Sequence, residues 1–191
     1  MNKENLLDTR EAKPISLNAS EKIRIERPKA GEKIEIFVKI GAIRIGAEEK
    51  QTGTDLTLAF ACKSDDCKFN YPSDLEINVE ALTDTTYFVR KTNTSKPNES
   101  DTIVDWVIQL HMVRQERSLE GRLMKLFYLL TTRLGKRTAR GLLLDHTLSH
   151  ARIAEIIGST RSTVSRTISK LRKTEQIYID DLKNQLLLPV H

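Results

Sequence analysis

The chain has 191 residues, enough for one larger domain or two small ones with modest cores. Its net charge of +5 is unevenly placed: residues 114–191 carry 15 Lys and Arg against 7 Asp and Glu, and the part before them is faintly acidic. A basic terminal domain suits a polyanion and excludes a uniformly basic ribosomal-type protein, while the lack of any apolar run near the ~18 residues of a membrane span excludes a spanning helix.

The start, MNKENLLDTREAK, is polar, has no apolar signal core and is expected to be loose, so a cytoplasmic protein with no membrane partner is expected. From Lys22 the pattern turns to alternation, in IRIER, IEIFVKI, AIRIGAEEK, DLTLAFA and LEINVEALTDTTYFVR. Alternation between turn residues predicts short antiparallel strands, with Gly31, Gly41, Gly46 and Gly53 at turns or bulges and Pro28 and Pro72 at others. Five to seven such strands in roughly eighty residues close as a small barrel or jelly roll.

Cys62 and Cys67 are the only cysteines, in ACKSDDCKFN, near the end of one strand and the start of an acidic loop. A zinc or iron–sulfur site wants about four ligands, so this pair reads as structural thiols; His146 and His150 are far along the chain. No metal is expected. The segment from Lys91 to Asp101, KTNTSKPNESD, lacks periodicity and reads as a connector.

After it, TIVDWVIQLHMVRQER repeats apolar residues at three and four positions over an unusually wide face, predicting a helix from Thr102 to Arg117. One side is expected on the β domain and the other on a second copy, with Ile103, Trp106, Val107, Leu110 and Val113 as the homodimer seam; burial inside a monomer is the alternative. Ser118 starts a further helix, LEGRLMKLFYLLTTRL, with Glu120 near its positive end and Gly135 closing it. KRTAR then reads as a loop and GLLLD as a short strand.

In LSHARIAEIIGSTRSTVSRTISKLRK, Ile153, Ile156 and Ile157 precede Gly158, and Val164, Ile168 and Leu171 follow it. Two short helices with a breaker between them are implied, capped by Ser149 and Thr160, with Gly158 left-handed and Ala154 small at the crossing. This is the helix-turn-helix pattern, whose second helix enters the major groove of DNA. Ser149, His150, Thr160, Arg161, Ser162, Thr163, Ser165, Arg166, Lys170 and Lys173 are the candidate DNA-binding residues, since cations and hydroxyls reach phosphates and base edges. QIYIDDLKNQLLLPV adds two strands around a turn from Asp181 to Asn184, making the unit a winged helix.

The run from Leu123 to Pro189 resembles the DNA-binding domain of the Crp/Fnr family, and LSHARIAEIIGSTRSTVSRTISKLRK is most similar to its cyanobacterial and plastid global nitrogen regulator branch. The order of parts matches too, more weakly in the β half through EKIRIERPKAGEKIEIFVKIGAIRI and EALTDTTYFV. The resemblance implies base contacts from the start of the second helix, where Arg161 and Arg166 fall on contact positions and Ser162 stands where Glu or Val is common. It implies no cyclic-nucleotide cradle, because no glycine lies between Gly53 and Gly121 and no Arg between Arg44 and Arg90. The Arg and Glu with which the nitrogen regulators hold 2-oxoglutarate fall at Ile103 and Ile108. The effector pocket is either lost or serves another ligand.

The expected fold is α+β: an N-terminal β-roll, jelly-roll-like, over residues 1–100, a long dimerisation helix over 101–117 and a C-terminal winged helix-turn-helix over 118–191. The expected function is a sequence-specific transcription regulator, a homodimer on near-palindromic double-stranded DNA, without cyclic AMP, 2-oxoglutarate or another assigned cofactor. The alternative is a protein-binding adaptor whose β-roll docks on RNA polymerase or another regulator. No enzyme is expected, since the chain lacks a phosphate loop, a paired-histidine metal helix and a nucleophile elbow.

Overall fold

A computed structural model describes residues 13–49, 51–63, 65–93 and 100–189. The first dozen residues, expected to be loose, and residues 94–99 of the expected connector lie outside the described residues. Among the described residues eight strands precede the first helix: β1 (Ile15–Leu17), β2 (Lys22–Arg24), β3 (Lys33–Ile40), β4 (Ala42–Glu49), β5 (Asp55–Cys62), β6 (Asp66–Phe69), β7 (Leu75–Ala81) and β8 (Thr85–Thr92). They form two four-stranded antiparallel sheets, in the orders β1-β8-β3-β6 and β2-β7-β4-β5.

The period-2 pattern decides which face is inside. Ile34, Ile36 and Val38 on β3, Ile43, Ile45 and Ala47 on β4, and Ile77 and Val79 on β7 are fully buried in one shared core. Gly41 turns β3 into β4 at φ +82°, where a Cβ would lie 2.4 Å from the Asp84 carbonyl, so only glycine fits. At Gly46 the β4–β5 register slips in a bulge, as its glycine suggested. The strand count exceeds the expected five to seven because β1 and β6, three and four residues long, are too short to show alternation. Cys67 accordingly lies on β6, paired with Ile36, and not in a loop.

Helix α1 (Thr102–Arg114) starts where the Asp101 carboxylate accepts the N–H groups of Ile103 (3.0 Å) and Val104 (3.2 Å), and it stops three residues before the expected Arg117. It packs on β5, β6 and helix α2 (Leu119–Leu134). Trp106 meets Phe60 edge to face, ring centres 5.4 Å apart, with the Arg133 guanidinium 4.5 Å over its ring.

This packing corrects the expected seam. Ile103, Trp106, Leu110 and Val113 are buried within the chain itself; of the five expected seam residues only Val107 is on the outer face. Val104, Ile108 and Met112 join it there, the four being 41–55% exposed. The helix is apolar on two sides, and the side that meets its own β-roll is the one first assigned to a partner.

The Ser118 hydroxyl caps α2 by accepting the Gly121 N–H (3.0 Å), and Gly135 closes it. KRTAR is not wholly a loop: β9 (Lys136–Thr138) pairs with β10 (Gly141–Leu144) at the edge of a sheet ordered β11-β12-β10-β9, where β11 is Tyr178–Asp180 and β12 is Gln185–Pro189. Between β10 and β11 lie α3 (His150–Ile157) and α4 (Arg161–Lys173). One hydrophobic core runs from the β-roll through α1 into this helical part. No helix among the described residues is long and apolar enough to cross a membrane.

Candidate nucleic-acid interface

The reading head is built locally. The Ser149 hydroxyl accepts the Arg152 N–H (3.2 Å) at the start of α3, and Gly158 ends that helix at φ +67°. The Thr160 hydroxyl then accepts the Thr163 N–H (3.2 Å) to begin α4. Ala154, buried at the crossing, leaves room for α4, whose stripe of Val164, Ile168 and Leu171 faces the core. The opposite face of α4 stays open.

The expected contact residues divide by what already holds them. Arg161, Ser162 and Arg166 are exposed at the start of α4, and neither arginine has a partner among the described residues. Ser165 lies half-buried beside them, and Lys173 is exposed at the far end. Thr160 and Thr163 spend their hydroxyls on each other, 2.8 Å apart, and on the cap. Lys170 is paired with Glu120 of α2 (2.6 Å), so this expected DNA cation is tied to its own domain. His150 lines a cleft between α3, α4 and the wing, together with Thr147, Ser169 and Arg172. Arg172 reaches Asp181 (3.1 Å) and fastens the wing turn to α4.

Two arginines that no sequence pattern singles out hold α3 from behind. Arg114, in the last turn of α1, donates to the carbonyls of Ile156 (2.6 Å) and Glu155 (2.7 Å), and Arg122 of α2 donates to that of Ile157 (3.3 Å). These are the orphan carbonyls of a helix C-terminus, where positive charge is favoured. The reading head is thereby joined to α1 directly. A basic residue near the end of one helix is readable from sequence, but its target on another helix is not.

Other candidate groups are inert. Burial, with Asp65 and Asp66 nearby, pushes the Cys67 thiol up to about 12, and burial with Asp65 pushes Cys62 up to about 11. Both stay protonated at neutral pH, which fits structural thiols. Burial also pulls His146 down to about 4 against the opposing influence of Asp145, keeping it neutral.

Comparison with known proteins agrees with this geometry. Residues 121–187 match the Crp-like helix-turn-helix domain. The global nitrogen regulator of Nostoc sp. is 39% identical over 74 residues, covering 39% of this chain and 33% of the relative. A probable transcriptional activator of Rhizobium leguminosarum is 33% identical over 86 residues, covering 45% of this chain and 34% of the relative. The alignments thus span about a third of each relative. Over nearly the whole chain the fold is similar to FixK2 of Bradyrhizobium japonicum, with a TM-score of 0.65, 20% identity and coverage of 93% of this chain and 92% of that one. A CooA mutant of Carboxydothermus hydrogenoformans gives a TM-score of 0.63 at 16% identity, covering 98% and 88%. Residues 121–187 are therefore a Crp-like helix-turn-helix domain, carried by a chain with the fold of the Crp/Fnr regulators.

Proposed function

We propose that this chain is a transcription regulator of the Crp/Fnr type that reads a near-palindromic DNA site as a homodimer. The observation that carries the reading is the capped α4, presenting Arg161 and Arg166 unengaged at its start on the basic side of the molecule. Val104, Val107, Ile108 and Met112 on the outer face of α1 form an apolar strip suited to a second copy of the same helix. RNA polymerase is a candidate partner once the protein is on DNA.

The two classes of cation have separable effects. An Arg that grips guanine in two places discriminates by about 1–3 kcal/mol, whereas a phosphate contact adds affinity without sequence preference. Arg166→Ala is expected to bring the affinities for a specific and a scrambled duplex close together, while Lys173→Ala weakens both alike. Competition binding of both variants on both duplexes checks this; equal effects from the two variants contradict the assignment.

The same reading leaves out cyclic AMP and 2-oxoglutarate as controls. Arg44, the last arginine on the roll before Arg90, is fully buried and committed to Asp55, Glu80 and Thr57. Ile103 is buried in the core and Ile108 is apolar, so α1 offers no charge at those places. A ligand shifts an equilibrium only by its differential affinity, and these anions need fixed donors to bind. Millimolar titration of either one is expected to leave Trp106 fluorescence and DNA affinity unchanged. A saturable tenfold rise in affinity, about 1.4 kcal/mol of coupling, would refute it.

A further inference from the structure

We propose that the polar seam between α3 and the sheet β2-β7-β4-β5 is a lock that positions the reading head, with Arg152 and Glu155 as its positioning residues. Arg152 sends one nitrogen to both Asp55 (3.1 Å) and Glu80 (3.0 Å) of the β-roll. One turn along, Glu155 accepts the hydroxyl of Thr57 (2.6 Å) and its backbone N–H (3.1 Å). β5 is the edge strand of its sheet, so that N–H would otherwise have no ladder partner. The helix-turn-helix is therefore bonded to the roll through a sheet edge.

The sheet is prepared for this contact. Arg44, on the same outer face, bridges Asp55 (2.7 Å) and Glu80 (2.9 Å) from below and donates Nε to Thr57 (2.8 Å). Lys22 adds a third cation 3.4 Å from Asp55. Three cations thus balance Asp55, Glu80 and Glu155 in a seam where Arg44 is fully buried and the three carboxylates are half-buried. A Cβ at Gly46 would fall 2.6 Å from Arg44 Nη1, so the bulge glycine makes room for the guanidinium. Burial pulls Arg152 down and Asp55 up, yet the ion partners outweigh it at both, and both remain charged.

The seam uses none of the open residues on α4 or the outer face of α1, so it leaves reading and pairing free. With Arg114 holding the other end of α3, it fixes where α4 stands relative to α1. This inference rests on the dimeric reading: when two copies pair along α1, the separation of their α4 helices is set by this seam. Freed heads still bind a half-site, but they lose the effective concentration that makes the second contact cheap.

Binding is measured on a duplex enriched by the wild type from a random pool, on the same duplex with one half scrambled, and on versions with the half-sites one base pair closer or further apart. Arg152→Ala keeps Asp55 and Glu80 paired with Arg44, and Glu155→Gln keeps the helix packing. Both are expected to lose about tenfold or more on the intact duplex and less than about threefold on the single half-site. Their preference for the natural spacing should flatten, and Arg152→Lys should restore part of it. Wild-type spacing preference in Arg152→Ala, or equal losses on the intact and half-scrambled duplexes, overturns the lock. A wild type that itself binds those two duplexes alike overturns the dimeric reading, and the lock with it.

Discussion

Arg44→Leu is expected to cost about 3–5 kcal/mol of folding stability, the range seen when one partner of a buried ion pair is removed. The side chain is fully buried, and its three nitrogens reach Thr57, Glu80 and Asp55. Taking it away leaves Asp55 with Arg152 and Lys22, and Glu80 with Arg152. Against a typical total of about 5–15 kcal/mol, the loss is between a fifth and all of the stability, and the unfolding midpoint falls accordingly. Arg44→Lys should recover only a fraction, because an ammonium cannot send a planar fork to three acceptors. Urea unfolding followed by circular dichroism gives the answer. A leucine variant as stable as the wild type would mean that an apolar side chain replaces the network without penalty.

Ile108→Glu is expected to turn the proposed dimer into a monomer that folds normally and has lost nearly all preference for a two-half-site duplex. Ile108 is 55% exposed in the protomer, so a carboxylate there meets water until a partner helix arrives, when it becomes an unpaired charge in an apolar seam at a cost of several kcal/mol. Leu110→Glu is the counterpart. Leu110 is buried in its own chain, so the charge should unfold the protomer before assembly is in question. Sedimentation with unfolding curves separates the two variants. A dimeric Ile108→Glu protein moves the interface off α1.

The contrast between Ile108 and Leu110 shows where sequence stops. Ile103, Trp106, Leu110 and Val113 obey helical spacing, and so do Val104, Val107, Ile108 and Met112. Periodicity reveals two apolar faces; only the packing of α1 on β5 and β6 decides which is the inner one. The caps were legible because their physics is local: Ser149, Gly158, Thr160 and Ser118 each act within a few residues. Arg44 was not, because a charged residue in an alternating strand normally faces water, and here that outer face is covered by a helix more than a hundred residues away. The short strands β1, β6 and β9 hid for another reason. Their sequences, ISL, DCKF and KRT, carry too little alternation to stand out, and pairing with longer neighbours recruits them.

Two copies of α4 are proposed to read the DNA sequence together. The decisive experiment is selection of bound duplexes from a random pool by the full chain at physiological salt. The predicted result is an inverted repeat whose half-sites lie about one helical turn, roughly 34–36 Å, apart, enriched by the wild type and lost with Arg166→Ala. Enrichment of a lone half-site would contradict the dimer, and a pool that stays random would contradict sequence reading by α4 altogether.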